Sequence, residues 1–148
     1  MAYSHENKAA ENHPRLREFI KSAGKLRGDL VMHLEDLVAA PLLPFAKDII
    51  VATWDGAQDD FRFRYWGATH VDTYGTDLSG SYAADGGFAD HHQLFCNVHL
   101  EVMEKQKPSY GVGILDWTDR SKRKWYQVIL PLRAKDKVTD TLTFFHFE

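Results

Sequence analysis

The sequence predicts an α+β fold: a five-stranded antiparallel sheet with helices on one face, preceded by an N-terminal amphipathic helix. Three observations predict it. Apolar and aromatic runs mark two strands before residue 67 and three after residue 108. One long helical stripe lies between the two groups, and turn residues separate the strands at hairpin spacing.

The elements follow in order. Residues 1–13 are polar and read as a flexible tail, which leaves 14–148 as one domain. Pro14 suits the first turn of a helix, where its missing N–H costs nothing. Leu16, Phe19, Ile20, Ala23 and Leu26 recur at helical spacing, with Arg17, Glu18, Lys21 and Lys25 opposite, until Gly28. That apolar stripe needs a cover, either the chain's own sheet or a second copy. A short helix is expected over 33–40, stopped by Pro41 and Pro44. Ile49, Ile50, Val51 and Trp54 form a first strand, and Asp55-Gly56-Ala57 turn the chain. The next strand alternates, with Phe61, Phe63 and Tyr65 on one side and Arg62 and Arg64 on the other. Short helices and turns fill 67–80, and Gly86-Gly87 continue the loop. The long helix covers 89–105 and ends before Pro108. Strands over 109–115, 124–132 and 138–147 finish the chain, joined by turns at 116–119 and 134–137.

Bulk properties narrow the function. At 148 residues, 44% hydrophobic and 13% aromatic, the chain can bury a core unaided by disulfides or metal. Its single cysteine, Cys96, rules out an internal disulfide framework and fits a reducing, cytoplasmic setting. No apolar stretch approaches the roughly 20 residues of a membrane span, and no secretory h-region is present. Net charge is −3. Lys122-Arg123-Lys124 before Trp125 and Tyr126 would suit a single strand of nucleic acid, but three charges at a strand start read as an exposed end. No nucleic-acid partner and no membrane are expected.

The segment from Asp60 to Gly80, with Asp77-Leu78-Ser79-Gly80 at its end, and the later Leu130-Pro131-Leu132 resemble a group of bacterial proteins with a lone PAS-like domain, common in alphaproteobacteria. The resemblance covers about residues 15–147 and extends to the order of elements. It implies sensing or protein–protein interaction in signalling rather than catalysis, with a small ligand held between the long helix and the sheet. It also implies a homodimer through the helix before the first strand, here presenting Leu16, Phe19, Ile20 and Ala23, besides a signalling partner.

The candidate chemistry is sparse. His92, Cys96, His99 and Met103 form one helical stripe of metal- and haem-ligand types. At 1.5 Å per residue the stripe runs ~16 Å, so at most two neighbours could share an ion. Haem bound through a histidine on this helix is the alternative function; no cofactor and no metal is the leading expectation. Cys96 sits mid-helix, where no dipole stabilises a thiolate. Ser79 lacks the nucleophile-elbow pattern, and Asp59-Asp60 and Asp116 with Asp119 read as turn residues. No enzyme is therefore expected. A ligand pocket would be lined by Phe61, Phe63, Tyr65, His92, Phe95, His99, Tyr126, Val128 and Leu130. Trp125 and Ile129 would then point outward, as a partner-binding patch. Gly111 and Gly113 clear one face of their strand for a close approach.

Overall fold

The structure, a computed structural model, describes residues 7–85, 92–115 and 123–148. The expected Gly86-Gly87 loop, His91, the turn at 116–119 and Lys122 lie outside the described residues.

Part of the expected tail is ordered. Lys8–Glu11 forms a one-turn helix, α1, whose Ala10 N–H is accepted by the Asn7 side chain, and Ala10 is fully buried. The turn is fixed by this cap and by docking against the later strand Ser109–Leu115, where the Asn7 N–H donates to the Tyr110 carbonyl, contacts that polar composition does not reveal.

Pro14–Leu26 forms α2, with Pro14 in its first turn as expected. An isolated helix of this length is marginal in water. Its own sheet supplies the missing stability. Leu16, Phe19 and Ala23 are fully buried, and the Phe19 ring stacks on Phe144 at 4.6 Å. Each such large side chain contributes about 1.5–3 kcal/mol on burial. Assigning Leu16, Phe19, Ile20 and Ala23 to a dimer interface is therefore corrected: three are sealed inside the chain, and Ile20 packs at the margin of the same core.

Among the described residues the sheet holds six strands rather than five. Two-residue β1 (Met32–His33) precedes 3-10 turns at Leu34–Val38 and Leu43–Asp48. Then come β2 (Ile49–Asp55), β3 (Asp60–Trp66), helix α3 (Ala68–Tyr74) and helix α4 (His92–Lys105). The chain ends with β4 (Ser109–Leu115), β5 (Arg123–Ala134) and β6 (Lys137–Phe147). The order across the sheet is β3-β2-β6-β5, with β4 on the outer edge of β5. These five strands are antiparallel as expected, and β1 adds a parallel pair at the end of β5. Pro131 lies between Ile129, the last residue paired with β4, and Leu132, the first paired with β1. A residue without an N–H fits such a break in an edge ladder. The arrangement is α+β and PAS-like.

The two faces have separate covers, which corrects the expectation of helices on one face: each face of the sheet is apolar and needs its own helix. α2 packs on Ile49, Val51, Val128, Leu130, Leu132, Leu142 and Phe144. The opposite face carries Ile50, Ala52, Phe61, Phe63 and Trp66 around Cys96, and Ile129 beneath Val98 and Val102 of α4. The α4 face holds the polar cluster described next.

Candidate functional site at the helix–sheet interface

Asp60 is the first residue of β3, paired with Asp55 across the hairpin. The chain after α3 returns alongside this strand: Phe63 N–H donates to the Ser81 carbonyl, and Gly80 N–H donates to the Phe63 carbonyl. That return places the Ala84 N–H on Asp60 Oδ2 at 3.1 Å, and the Tyr82 hydroxyl on Asp55 Oδ2 at 2.6 Å. Asp60 is thereby held at the edge of the interface with only 5% of its surface exposed.

His92 and Cys96, one turn apart on α4, meet this carboxylate. His92 Nε2 lies 2.7 Å from Asp60 Oδ1, and Cys96 Sγ lies 3.4 Å from His92 Nε2 and 3.8 Å from Asp60 Oδ1. Burial, followed by the Asp60 charge, pushes the Cys96 thiol up to about 11. The thiol is protonated at neutral pH.

One turn further along, His99 is buried between aromatic rings. Phe95 stacks on it at 4.1 Å between centroids, and Phe61 lies 5.5 Å away. His99 Nδ1 shares a 2.6 Å hydrogen bond with Thr141 Oγ1 of β6. Burial lowers its pKa to about 3, so the ring is neutral at pH 7. Met103, the last member of the stripe, packs at the edge of the same apolar cluster.

The expected pocket lining divides between the two faces. Phe61, Phe63, His92, Phe95 and His99 come together under α4, as the sequence suggested. Tyr65, Tyr126, Val128 and Leu130 belong to the other face, beneath α2. For Tyr65 the reason is a bulge: Ala52 pairs with Phe63 and Val51 with Tyr65, so Arg64 is extra and the alternation slips. For β5 the parity is reversed. Trp125 and Ile129, expected outside, are 5% and 0% exposed on the α4 face. Trp125 packs edge-on against Phe145, and its indole occupies the space where a Cβ on Gly113 would project. The cleared glycine face thus receives the chain's own tryptophan.

Asp60, read from sequence as a turn residue, is the group that was missed. The site partners Ala84, His92 and Cys96 lie 24, 32 and 36 residues away, so no local pattern could have marked this constellation.

Two further buried polar groups lie apart from this cluster. His70 of α3 is fully buried among Trp66, Phe145 and Phe147, its ring nitrogens make no full hydrogen bond among the described residues, and burial, opposed weakly by the nearby Asp48 backbone and charge, lowers its pKa to about 4. On the α2 face, Asp140 accepts a hydrogen bond from Thr53 Oγ1 at 2.8 Å and pairs with Arg64 Nε at 3.1 Å.

No family model matches the chain, and no curated protein matches it either. Solved structures do. VqmA bound to DPO superposes with a TM-score of 0.56 at 16% identity, over 67% of this chain and 52% of that one. The Vibrio cholera VqmA–ligand–DNA complex gives 0.56 at 16%, over 66% and 45%. The PAS domain of histidine kinase ThkA aligns with a TM-score of 0.45 at 18% identity, over 68% and 97%. The chain aligns with about half the length of the VqmA chains. The likeness is one of fold.

One expectation is corrected by these likenesses. The basic triplet at 122–124, read from sequence as an exposed strand end, predicts no nucleic-acid partner, yet VqmA, which shares this fold, is solved in complex with DNA. The exclusion does not stand. Among the described residues, no helix is long and apolar enough to cross a membrane.

Proposed function

We propose that this chain is a non-catalytic sensory module of PAS type in bacterial signalling, related to the lone-PAS-domain proteins and working in the cytoplasm. A small ligand bound at the interface between α4 and the sheet would regulate its contact with a signalling partner. The observation that carries this reading is the placement of His92, His99 and Asp60 among Phe61, Phe63 and Phe95 at that interface. A few placed polar groups in an aromatic surround are the usual composition of a small-molecule site. The likeness to VqmA, solved with DPO bound, supports the same reading.

The test is native mass spectrometry of protein purified from its own host, with an absorbance scan of the same sample. The expected result is a bound mass that is lost in a Phe61→Trp variant, which fills the interface. A Soret band lost in His92→Ala or His99→Ala would select haem as that ligand. Protein that carries no small molecule, and whose melting temperature no compound in a metabolite panel raises, overturns the ligand-regulated reading.

A further inference from the structure

We propose that Asp60, His92 and Cys96 form a three-ligand site for a divalent transition-metal ion, best suited to zinc. The inference stands on geometry and, although Asp60 and His92 also belong to the proposed ligand site, does not require that a small ligand bind there.

Three donor atoms of three chemistries converge on one point. Asp60 Oδ1, His92 Nε2 and Cys96 Sγ are separated by 2.7, 3.4 and 3.8 Å. An ion at bond lengths of about 2.0–2.3 Å with tetrahedral angles places its ligands roughly 3.3–3.8 Å apart. Both sulfur distances already fall near this range. Only the oxygen–nitrogen pair must open, by about 0.6 Å. His92 can supply that movement, since its side chain is 29% exposed while Asp60 is held at 7%.

The same three residue types also compose a cysteine-nucleophile triad, and the geometry decides against it. A triad needs the carboxylate on one ring nitrogen and the thiol on the other, so that the ring relays a proton. Here Asp60 and Cys96 both approach Nε2. Convergence on one nitrogen is what a shared cation produces and what a relay does not.

The setting suits a metal in two further respects. Asp60 Oδ2 is oriented by the Ala84 N–H, the kind of outer contact that fixes a ligating carboxylate. The ligands come from regular elements, an i, i+4 pair on α4 and the first residue of β3. Mixed oxygen, nitrogen and sulfur donors favour zinc among available divalent ions, and the Cys96 thiol releases its proton to solvent as the sulfur–metal bond forms. Three protein ligands leave a fourth position for water or for a donor atom of a small molecule. When filled, the site would tie the start of α4 to the β2–β3 hairpin.

Cobalt(II) is the probe. Chelator-treated protein titrated with Co²⁺ is expected to bind one equivalent, with a thiolate-to-cobalt charge-transfer band and ligand-field bands of tetrahedral intensity, both removed by Zn²⁺. Cys96→Ser should abolish the charge-transfer band. Asp60→Asn and His92→Asn should each weaken binding about tenfold or more, with folding checked by far-UV circular dichroism. Absence of the charge-transfer band in folded wild-type protein overturns the site. Undiminished binding in folded Asp60→Asn and His92→Asn also overturns it, because the ion then sits elsewhere.

Discussion

His99 of α4 and Thr141 of β6 share a 2.6 Å hydrogen bond with both side chains buried, and this bond joins the long helix to a central strand. Threonine to valine at 141 keeps the shape and removes the hydroxyl. An unpaired buried donor or acceptor costs about 1–3 kcal/mol, so Thr141→Val should lower unfolding free energy by that amount in urea titration. Amide exchange should speed in α4 more than in α2, because α2 packs on the opposite face. Equal acceleration in both helices would refute this assignment.

Acid should destabilise the protein through two histidines. His70 and His99 bind a proton more weakly folded, at about 4 and about 3, than at the ordinary value of 6.5. Below pH 6.5 the unfolded chain takes up protons that the folded chain refuses, so stability falls with pH until about pH 3 to 4. Above pH 6.5 neither contributes a slope. A His70→Phe, His99→Leu double variant should show a shallower loss of melting temperature between pH 6.5 and 4 than the wild type.

Gly113 should not accept a larger residue. A Cβ there meets the Trp125 indole, which is packed against Phe145 and cannot simply swing out. Gly113→Val is expected to cost about 1–3 kcal/mol by overpacking. Gly113→Val combined with Trp125→Leu should recover part of that loss. Failure of any recovery would show that the glycine is needed for another reason.

Phe19→Ala should destabilise by about 3–5 kcal/mol, as for a phenylalanine removed from a core. Because Phe19 stacks on Phe144 of its own chain, the loss should be the same across a hundredfold range of protein concentration. Concentration dependence would instead return α2 to an intermolecular interface.

Much of this fold was legible because local chemistry carries it. Pro14 and the spacing of Leu16, Phe19 and Ala23 define α2 without reference to anything else. The β2–β3 hairpin follows from Asp55-Gly56 between two apolar runs. By contrast, β5 reads Trp125 to Leu132 as an almost unbroken apolar run, and every one of these residues is buried. With covers on both faces, no polar side remains to set the parity, so Trp125 and Ile129 could not be placed from sequence. The bulge at Arg64 has no local signature either, and it alone moved Tyr65 to the other face.

The candidate site shows the same division. Helical spacing by itself brought His92 next to Cys96, since residues four apart share a face whatever surrounds the helix. The third member, Asp60, came from the hairpin 32 residues earlier, and Ala84 held it there. Sequence determined the two long helices, five of the six strands, their order and the stripe of ligand-type side chains on α4, because those depend on contacts within a few residues. Tertiary structure alone decided which face each strand residue serves, that α2 is covered by its own sheet, and that a carboxylate joins the histidine and the thiol. Those outcomes depend on pairings between distant segments, which periodicity does not encode.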